Sequence, residues 1–226
     1  MKVLICVRGG SKGIPKKNIA KFEKSNLLSY SIKKIKSNNN VQKIFVSTDC
    51  DEISRIALNE NVSVIKRPKE LSTDEANEID VWKHFCMKLA LDRDEPFLVT
   101  PVTSPLRENQ DIDKALELWQ TKKYDIIMSR KNSSRNPYLN MITENKKGEM
   151  KPLYFSKKIH RRQDAPLFYD ILTVLYLTTF KYILSQDSLL SGKVGWIDIP
   201  EERSIDIDSP WDLQLANLII NSQNDK

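Results

Sequence analysis

A short basic segment at residues 8–18 carries the clearest chemical pattern in the chain and reads Arg-Gly-Gly-Ser-Lys-Gly-Ile-Pro-Lys-Lys-Asn. Its three glycines allow the backbone to turn tightly and to present N–H groups to an anion. Its arginine and three lysines supply the positive charge that a triphosphate requires. The segment lacks the Gly-Lys-Ser/Thr of a Walker loop and the glycine spacing of a dinucleotide fingerprint. It therefore predicts phosphate binding of another kind, with a solvated basic turn as the alternative.

Two aspartates, Asp206 and Asp208, alternate with isoleucines in a segment that reads Ser-Ile-Asp-Ile-Asp. On a β-strand this alternation places both carboxylates on one face and both isoleucines toward the core. Two nearby carboxylates repel each other unless a cation bridges them, and Mg²⁺ prefers oxygen ligands that it shares with substrate phosphates. The segment therefore predicts a strand over 204–208 that carries a Mg²⁺ site, with a solvated acidic strand end as the alternative. Ser209 and Asp212 then predict a capped helix start.

Three further polar blocks are weak evidence by themselves and become candidates for binding only through a resemblance to a known family. Arg67 begins an Arg-Pro pair just after a predicted strand, and Thr103, Ser104 and Arg107 belong to a Thr-Ser-Pro-Leu-Arg block. For Arg107 a structural clamp on backbone carbonyls is an equal alternative. Residues 157–166 form a basic run for which an ordinary solvated surface is the alternative reading.

Strand-like and helix-like segments alternate along the first half of the chain and must position these groups. The predicted strands are 3–7, 43–47, 62–65, 96–100 and 125–129, and the predicted helices are 27–37, 51–60, 79–91 and 111–121. Ser47, Thr48 or Asp49 is expected to cap the helix at 51–60. This alternation predicts an α/β fold with a doubly wound, mostly parallel sheet. In such sheets ligands bind beyond the carboxyl ends of the strands, where the basic segment is expected to lie.

Residues 131–170 interrupt the alternation, because they are rich in Asn, Ser, Lys and Pro. Strands are expected again at 174–177 and 195–199, followed by the acidic segment and a last helix at 210–220. We therefore expect one domain over residues 1–226, with an insertion at 131–170 and a frayed tail.

Composition narrows the classes of function. Apolar residues make up 40% of the chain and charged residues 29%, which is typical of a soluble globular protein. The apolar runs are too short to span a membrane or to form a secretory leader. The net charge of +6 arises from 36 basic and 30 acidic residues that are dispersed, so a pocket for small anions is preferred to a nucleic-acid surface.

The cysteines and histidines argue against disulfides and zinc. Cys6, Cys50 and Cys86 are widely spaced, and an odd number of cysteines without a leader predicts reduced thiols in the cytoplasm. His84 and His160 are the only histidines, and neither stands in a cluster of metal ligands.

The segment at 8–18 closely resembles the nucleotide-binding signature of the acylneuraminate (CMP-sialic acid synthetase) cytidylyltransferase family. Further blocks resemble that family in the same order over residues 2–220: Val-Ser-Thr-Asp at 46–49, the R-P-x-x-L-x-x-D motif at 67–74, T-S-P-L-R at 103–107, the R-x-Q-x-x-P region at 157–166, and S-I-D-I-D at 204–208. The resemblance implies a nucleotide-diphospho-sugar transferase-like fold and a homodimer in which 131–170 is the dimerisation and sugar-binding extension.

The resemblance also implies a role for each matching residue. Those expected to bind CTP are Arg8, Gly9, Gly10, Ser11, Lys12, Lys17, Asn18 and Arg67. Those expected at the acidic sugar are Thr103, Ser104, Arg107, Arg162 and Gln163, with the Arg162 guanidinium on the sugar carboxylate. Asp206 and Asp208 would hold Mg²⁺, and the catalytic set would be Arg8, Lys12, Lys17 and Asp208.

The chain departs from the family at two places, both on the sugar side. Pro101 and Val102 stand where sialic-acid enzymes usually have Gln-Pro, so a sugar contact is missing. Residues 172–174 read Leu-Thr-Val where those enzymes have Asn-Gly-Ala. These changes leave sialic, legionaminic, pseudaminic and related acids as open substrates.

The sequence is thus expected to encode an enzyme that transfers CMP from CTP to the anomeric hydroxyl of an acidic 2-keto sugar and releases pyrophosphate. Another base or sugar on the same fold, or a non-catalytic nucleotide-binding regulator, is the alternative. A nicotinamide oxidoreductase would require a dinucleotide fingerprint, of which only Asp49 gives a hint.

Overall fold

The computed structural model describes residues 1–10 and 13–224, with side chains to residue 222, so the predictions for Ser11 and Lys12 lie outside the described residues. The chain forms two compact units. The first comprises Met1–Ser129 and Leu172–Lys226, and the second comprises Arg130–Ile171.

The helices and strands alternate much as the sequence predicts. The strands are β1 Lys2–Cys6, β2 Lys21–Phe22, β3 Ser25–Asn26, β4 Lys43–Thr48, β5 Ser63–Lys66, β6 Pro96–Val99, β7 Ile126–Asn132, β8 Ile142–Glu144, β9 Met150–Pro152, β10 Tyr169–Thr179 and β11 Val194–Asp198. The helices are α1 Leu27–Lys36, α2 Asp51–Asn59, α3 Glu78–Lys88, α4 Asn109–Gln120, α5 Phe180–Ser185 and α6 Pro210–Asn224. Helix α5 and the short pairs β2–β3 and β8–β9 are not among the predicted elements, and α6 continues to Asn224 rather than ending at 220.

The central sheet has seven strands in the order β11-β7-β10-β6-β1-β4-β5. β1 pairs in parallel with β4 and with β6, and β4 pairs in parallel with β5, whereas β10 is antiparallel to β6. The predicted α/β fold with a mostly parallel sheet is confirmed. Because the chain moves outward from β1 to β4 and β5 and then returns to β6 on the other side of β1, the strand order reverses at β1. A crevice for ligands forms beyond the carboxyl ends of the strands at such a point.

Both faces of the sheet are buried. This agrees with the sequence of β1, whose consecutive apolar side chains point alternately to the two faces. Val3 and Ile5 pack in one core cluster with residues of α1, α2 and α4, and Leu4 packs in a second cluster with residues of α3 and α5. Alternate side chains of a strand point to opposite faces, so a strand that is apolar throughout stabilises both helical layers.

A third, smaller cluster lies apart from these two and joins distant parts of the chain. Its members are Ile14, Phe22, Leu27, Leu106, Ile207, Ala216 and Ile220. It therefore packs the basic segment, α1, the Thr-Ser-Pro-Leu-Arg block, the acidic segment and α6 against one another.

The predicted strand over 204–208 is wrong. The segment makes no ladder, and its Ile207 N–H donates to the Thr103 carbonyl in a loop at 2.8 Å. Ile207 is nevertheless fully buried, as predicted. The predicted helix start is confirmed, because the Asp212 N–H donates to Ser209 Oγ at 3.3 Å and the Ser209 N–H donates to Asp212 Oδ2 at 2.7 Å.

The second unit contains the β8–β9 hairpin and a short 3₁₀-helix at Arg162–Asp164. Tyr138 packs against Tyr154 and Phe168 within it. Many of its large apolar side chains are exposed: Leu139, Met141, Ile142, Met150, Leu153, Tyr154, Phe155, Leu167, Tyr169 and Ile171.

In the part of the chain that the structure describes, every helix is too short or too polar to cross a lipid bilayer.

Candidate active site

The basic segment follows β1 and is held by two polar contacts. The Gly9 N–H donates to Asp49 Oδ1 at 3.0 Å, and Asn18 Nδ2 donates to the Arg8 carbonyl at 2.9 Å. Asp49 thus supports the first loop. The expectation that Ser47, Thr48 or Asp49 caps α2 is wrong, because the N-cap residue is Cys50 and it makes no side-chain capping bond.

Arg67 is fixed at the carboxyl end of β4. Its Nη2 donates to the Ser47 carbonyl at 2.8 Å and its Nε donates to Ser47 Oγ at 3.2 Å. The side chain is buried, and these contacts hold its guanidinium in one orientation. A positive charge is therefore positioned beyond the strand ends, beside the first loop.

A cavity of about 320 Å³ lies at this edge of the sheet. Its lining includes Arg8, Lys17, Asn18 and Arg67, four of the residues predicted to bind the nucleotide. The Arg8 guanidinium also forms an ion pair of 2.7 Å with Asp74, the aspartate that closes the R-P-x-x-L-x-x-D motif. The first loop and the segment after β5 therefore line one concave space, which carries the basic side chains Arg8, Lys17 and Arg67 and the acidic side chains Asp74 and Glu78.

The acidic segment meets the first loop at Asp208. Lys17 Nζ donates to Asp208 Oδ1 at 2.9 Å, and the Asp208 carboxylate is otherwise largely open to solvent. A Cβ atom added to Gly13 would lie 2.6 Å from the Asp208 carbonyl oxygen, so the backbones approach each other too closely for any other residue at this position. The structure thus brings together Lys17 and Asp208, which the sequence separates by 191 positions.

Asp206 has a different environment. Its Oδ2 accepts a hydrogen bond from Thr173 Oγ1 at 2.8 Å, and Ser104 Oγ lies 3.3 Å from the same Thr173 hydroxyl. Its Oδ1 is buried and has no hydrogen-bond partner. Because a buried carboxylate oxygen without a partner is costly, this atom fits coordination of a cation.

The described residues contain no cluster of three or more His, Cys, Asp or Glu side chains that would hold a metal alone. The carboxylates of Asp206 and Asp208 are the candidate ligands. Such a small set of ligands suits Mg²⁺, since Mg²⁺ takes one or two carboxylates and completes its shell with water and substrate phosphate oxygens.

Arg107 clamps backbone carbonyls and does not lie where it could contact a sugar, as its burial and its two hydrogen bonds show. The side chain is 1% exposed, and its Nη1 donates to the carbonyls of Pro101 and Val174 at 3.2 and 2.9 Å. Burial lowers the pKa of this guanidinium to about 10, although the nearby Asp111 and Tyr30 favour the charged form. Arg107 therefore ties the loop after β6 to β10, which holds Thr173 in place.

The remaining predicted sugar residues lie in two places. Ser104 is buried beside Thr173, and the carbonyl of Thr103 binds the acidic segment. Arg162 and Gln163 lie exposed in the second unit, where Arg162 Nη2 donates to the Ser134 carbonyl at 2.9 Å.

Two contributions are not predicted from the sequence. Thr173 stands out there only as a departure from the family pattern, but its hydroxyl orients Asp206. Asp49 is a candidate helix cap there, but its carboxylate holds Gly9. The signal for Asp49 was its place at the end of a strand that neighbours β1; no sequence signal places Thr173 against Asp206.

The sequence and the fold of the chain are similar to those of known proteins, and this similarity identifies the family. Residues 2–184 match the family model described as cytidylyltransferase. The chain belongs to the cytidylyltransferase family. The predicted family and the predicted class of enzyme, a CTP-dependent nucleotidyltransferase, are confirmed.

Individual relatives agree with this membership. The post-translational flagellin modification protein B of Campylobacter coli is 31% identical over 97% of this chain and 94% of its own length. The CMP-N,N'-diacetyllegionaminic acid synthase of Campylobacter jejuni is 31% identical with the same two coverages. Among solved structures, a CMP:2-keto-3-deoxy-manno-octonic acid synthetase complexed with CTP has a TM-score of 0.72 at 13% identity and covers 98% of each chain, which shows a shared fold.

Proposed function

We propose that this cytidylyltransferase transfers CMP from CTP to the anomeric hydroxyl of an acidic 2-keto sugar. The observation that carries the proposal is the contact between Asp208 of the acidic segment and Lys17 of the glycine-rich loop, which lines the cavity with Arg8 and Arg67. The relative named as a legionaminic acid synthase supports an acidic sugar as the acceptor.

In the proposed reaction the sugar hydroxyl oxygen forms a bond to the α-phosphorus of CTP. The bond from that phosphorus to the bridging oxygen breaks, and pyrophosphate leaves. Arg8 and Lys17 lie on the cavity wall, where their charges would stabilise the negative charge that develops on the phosphates, together with Lys12 of the same loop. Neither His84 nor His160 lines the cavity, so the hydroxyl proton would pass to a carboxylate of the site or to water.

Asp206 and Asp208 would hold Mg²⁺, Asp206 through the oxygen that has no other partner. When bound, Mg²⁺ supplies positive charge to the phosphate oxygens and aligns them. Lys17 donates a hydrogen bond to Asp208 and Thr173 donates one to Asp206, so each carboxylate has its own positioning partner.

Replacing Thr173 with valine is expected to raise the Mg²⁺ concentration required for half-maximal turnover by about tenfold, because Asp206 Oδ2 loses its donor while the side-chain volume is kept. The measurement is pyrophosphate release as a function of Mg²⁺, with Mn²⁺ binding as a second readout. The matched variant Thr173→Ser keeps the hydroxyl and should behave like the wild type. Equal Mg²⁺ dependence in both variants would contradict a positioning role for the hydroxyl.

We further propose that the second unit is the dimerisation extension and that Arg162 binds the sugar carboxylate. Support comes from its many exposed large apolar side chains, since exposed apolar surface of this kind is typical of sites where proteins associate. The guanidinium of Arg162 is exposed and suited to bidentate binding of a carboxylate.

The double variant Phe155→Asp and Leu167→Asp is expected to be monomeric, because these side chains are 75% and 78% exposed and charges would be desolvated in an apolar interface. Sedimentation velocity gives the mass in solution. Leu58→Asp, on an exposed apolar position of α2 in the first unit, is the control and should leave the mass unchanged. A double variant with the wild-type mass would refute the assignment of this surface.

The free cysteines Cys6, Cys50 and Cys86 support a reducing compartment, and we place the reaction in the cytoplasm.

The proposed activity is tested by measuring pyrophosphate release with Mg²⁺, crossing the four nucleoside triphosphates with a panel of eight-carbon and nine-carbon 2-keto sugar acids. Release that requires CTP and one acid is the expected result and names the substrate. Binding of CTP without release would point to an acid outside the panel. Failure to bind CTP would overturn the proposal.

A further inference from the structure

The cavity lining combines charged and apolar side chains. The charged side chains are Arg8, Lys17, Arg67, Asp74 and Glu78, of which Arg8 and Asp74 pair with each other. The apolar side chains include Leu71, Ala76 and Val81, which suit the flat face of a nucleotide base.

Glu78 is the first residue of α3 and was not singled out by any motif. It lines the cavity together with Arg67 and Cys6, and the residue is exposed to solvent. Desolvation of its carboxyl group raises its pKa, while the Trp82 indole and the Arg67 guanidinium act in the opposite direction. Burial of the Cys6 thiol raises its pKa to about 12, and the charge of Glu78 adds to this increase. Both Glu78 and Arg67 thus line the same cavity.

The two charged groups have complementary hydrogen-bonding roles. An ionised carboxylate only accepts hydrogen bonds, and a guanidinium only donates them. The edge of cytosine offers a donor at its 4-amino group next to acceptors at N3 and O2. Uracil reverses the first two, with an acceptor at O4 and a donor at N3. An acceptor and a donor side by side thus match cytosine and oppose uracil at its O4.

We propose that Glu78 accepts a hydrogen bond from the 4-amino group of cytosine and thereby makes the enzyme select CTP over UTP. This inference rests on the proposed function, since it assumes that CTP occupies the cavity. An acidic residue in the first turn of α3 also stabilises the helix N-terminus, a role that affects stability and not the choice of base.

The test compares the dissociation constants of CTP and UTP, measured by calorimetry with Mg²⁺ and without sugar, in the wild type and in Glu78→Gln. Glutamine keeps the size of the side chain, but its amide can donate to O4 of uracil. We expect the preference for CTP to fall by about 10- to 100-fold, because a hydrogen bond to a charged acceptor is lost and a repulsion is removed. Glu75→Gln, a neighbouring exposed glutamate that does not line the cavity, should leave the preference unchanged.

The outcomes separate the inference from the proposed function. A wild type that binds neither nucleotide would overturn both. A wild type that prefers CTP, with the same preference retained in Glu78→Gln, would overturn the role of Glu78 alone. Should Glu78→Gln prove unstable, Glu78→Ala gives the same decision, since it should lose CTP affinity without gaining UTP affinity. If the folded variants lost affinity for CTP and UTP equally, Glu78 would stabilise the start of α3 and would not contribute to the choice of base.

Discussion

Replacement of Asp208 with alanine should remove nearly all turnover, by at least about 1000-fold, and leave the fold intact. The carboxylate is 77% exposed, and its partner in the structure is the Lys17 ammonium, so no core packing is lost. What is lost is one of the two carboxylates proposed to hold Mg²⁺ beside the phosphates. Initial rates of pyrophosphate release at saturating CTP and Mg²⁺, with a thermal unfolding curve, measure the two effects separately.

The exposed Asp187→Ala is the matched control for that variant and should retain wild-type turnover and stability. Near-normal turnover of Asp208→Ala at saturating Mg²⁺ would eliminate the metal assignment. A large loss of thermal stability would instead mean that the pair with Lys17 holds the loop to the acidic segment, which surface ion pairs rarely do.

Replacement of Gly13 with alanine is the second change with a large expected effect. The added Cβ would lie 2.6 Å from the Asp208 carbonyl oxygen, a separation at which one of the two backbones must move. A shift of about 1 Å between the loop and the acidic segment is expected to lower kcat/KM for CTP by about 100-fold. The melting temperature should fall by several degrees, because the strain also opposes packing of the small cluster beneath.

Gly10→Ala provides the comparison for stability, because a Cβ at Gly10 meets nothing within 4 Å. Its melting temperature should match that of the wild type, whereas its affinity for CTP reports on the predicted nucleotide contact. If Gly13→Ala had wild-type stability and kcat/KM, the close approach of the two backbones would have no role in the site.

The sheet was predictable because its signals are local. β1, β4 and β6 are apolar on both faces, and the apolar periodicity of α1, α2 and α4 matches that of helices packed on a sheet. The hairpin β8–β9 and the helix α5 escaped prediction, since each is short and neither has a clear period. The acidic segment alternates like a strand, yet it pairs with a loop through the Ile207 N–H, and no sequence pattern distinguishes those two partners.

The site was predictable only where a family motif covers it. The loop residues Arg8, Lys17 and Asn18 and the distant Arg67 do line one cavity. Arg107 carries the same motif evidence but is turned into the core, because the carbonyls of Pro101 and Val174 bind its guanidinium. Contacts between side chains far apart in the sequence, such as Thr173 with Asp206, depend on tertiary packing that local patterns do not encode.

The small cluster that contains Ile14, Ile207 and Ala216 has a consequence for the order in which the enzyme becomes competent. The basic segment at residues 8–18 is synthesised early, and most strands of the sheet precede the acidic segment in the chain. Its partner Asp208 arrives 191 positions after Lys17, and α6 must then dock before Ile207 and Ile14 share one core. A nascent chain with a nearly complete sheet would therefore present the basic segment without the acidic half of the proposed site. Activity would begin only after the last helix has packed, so that turnover reports on the completion of folding.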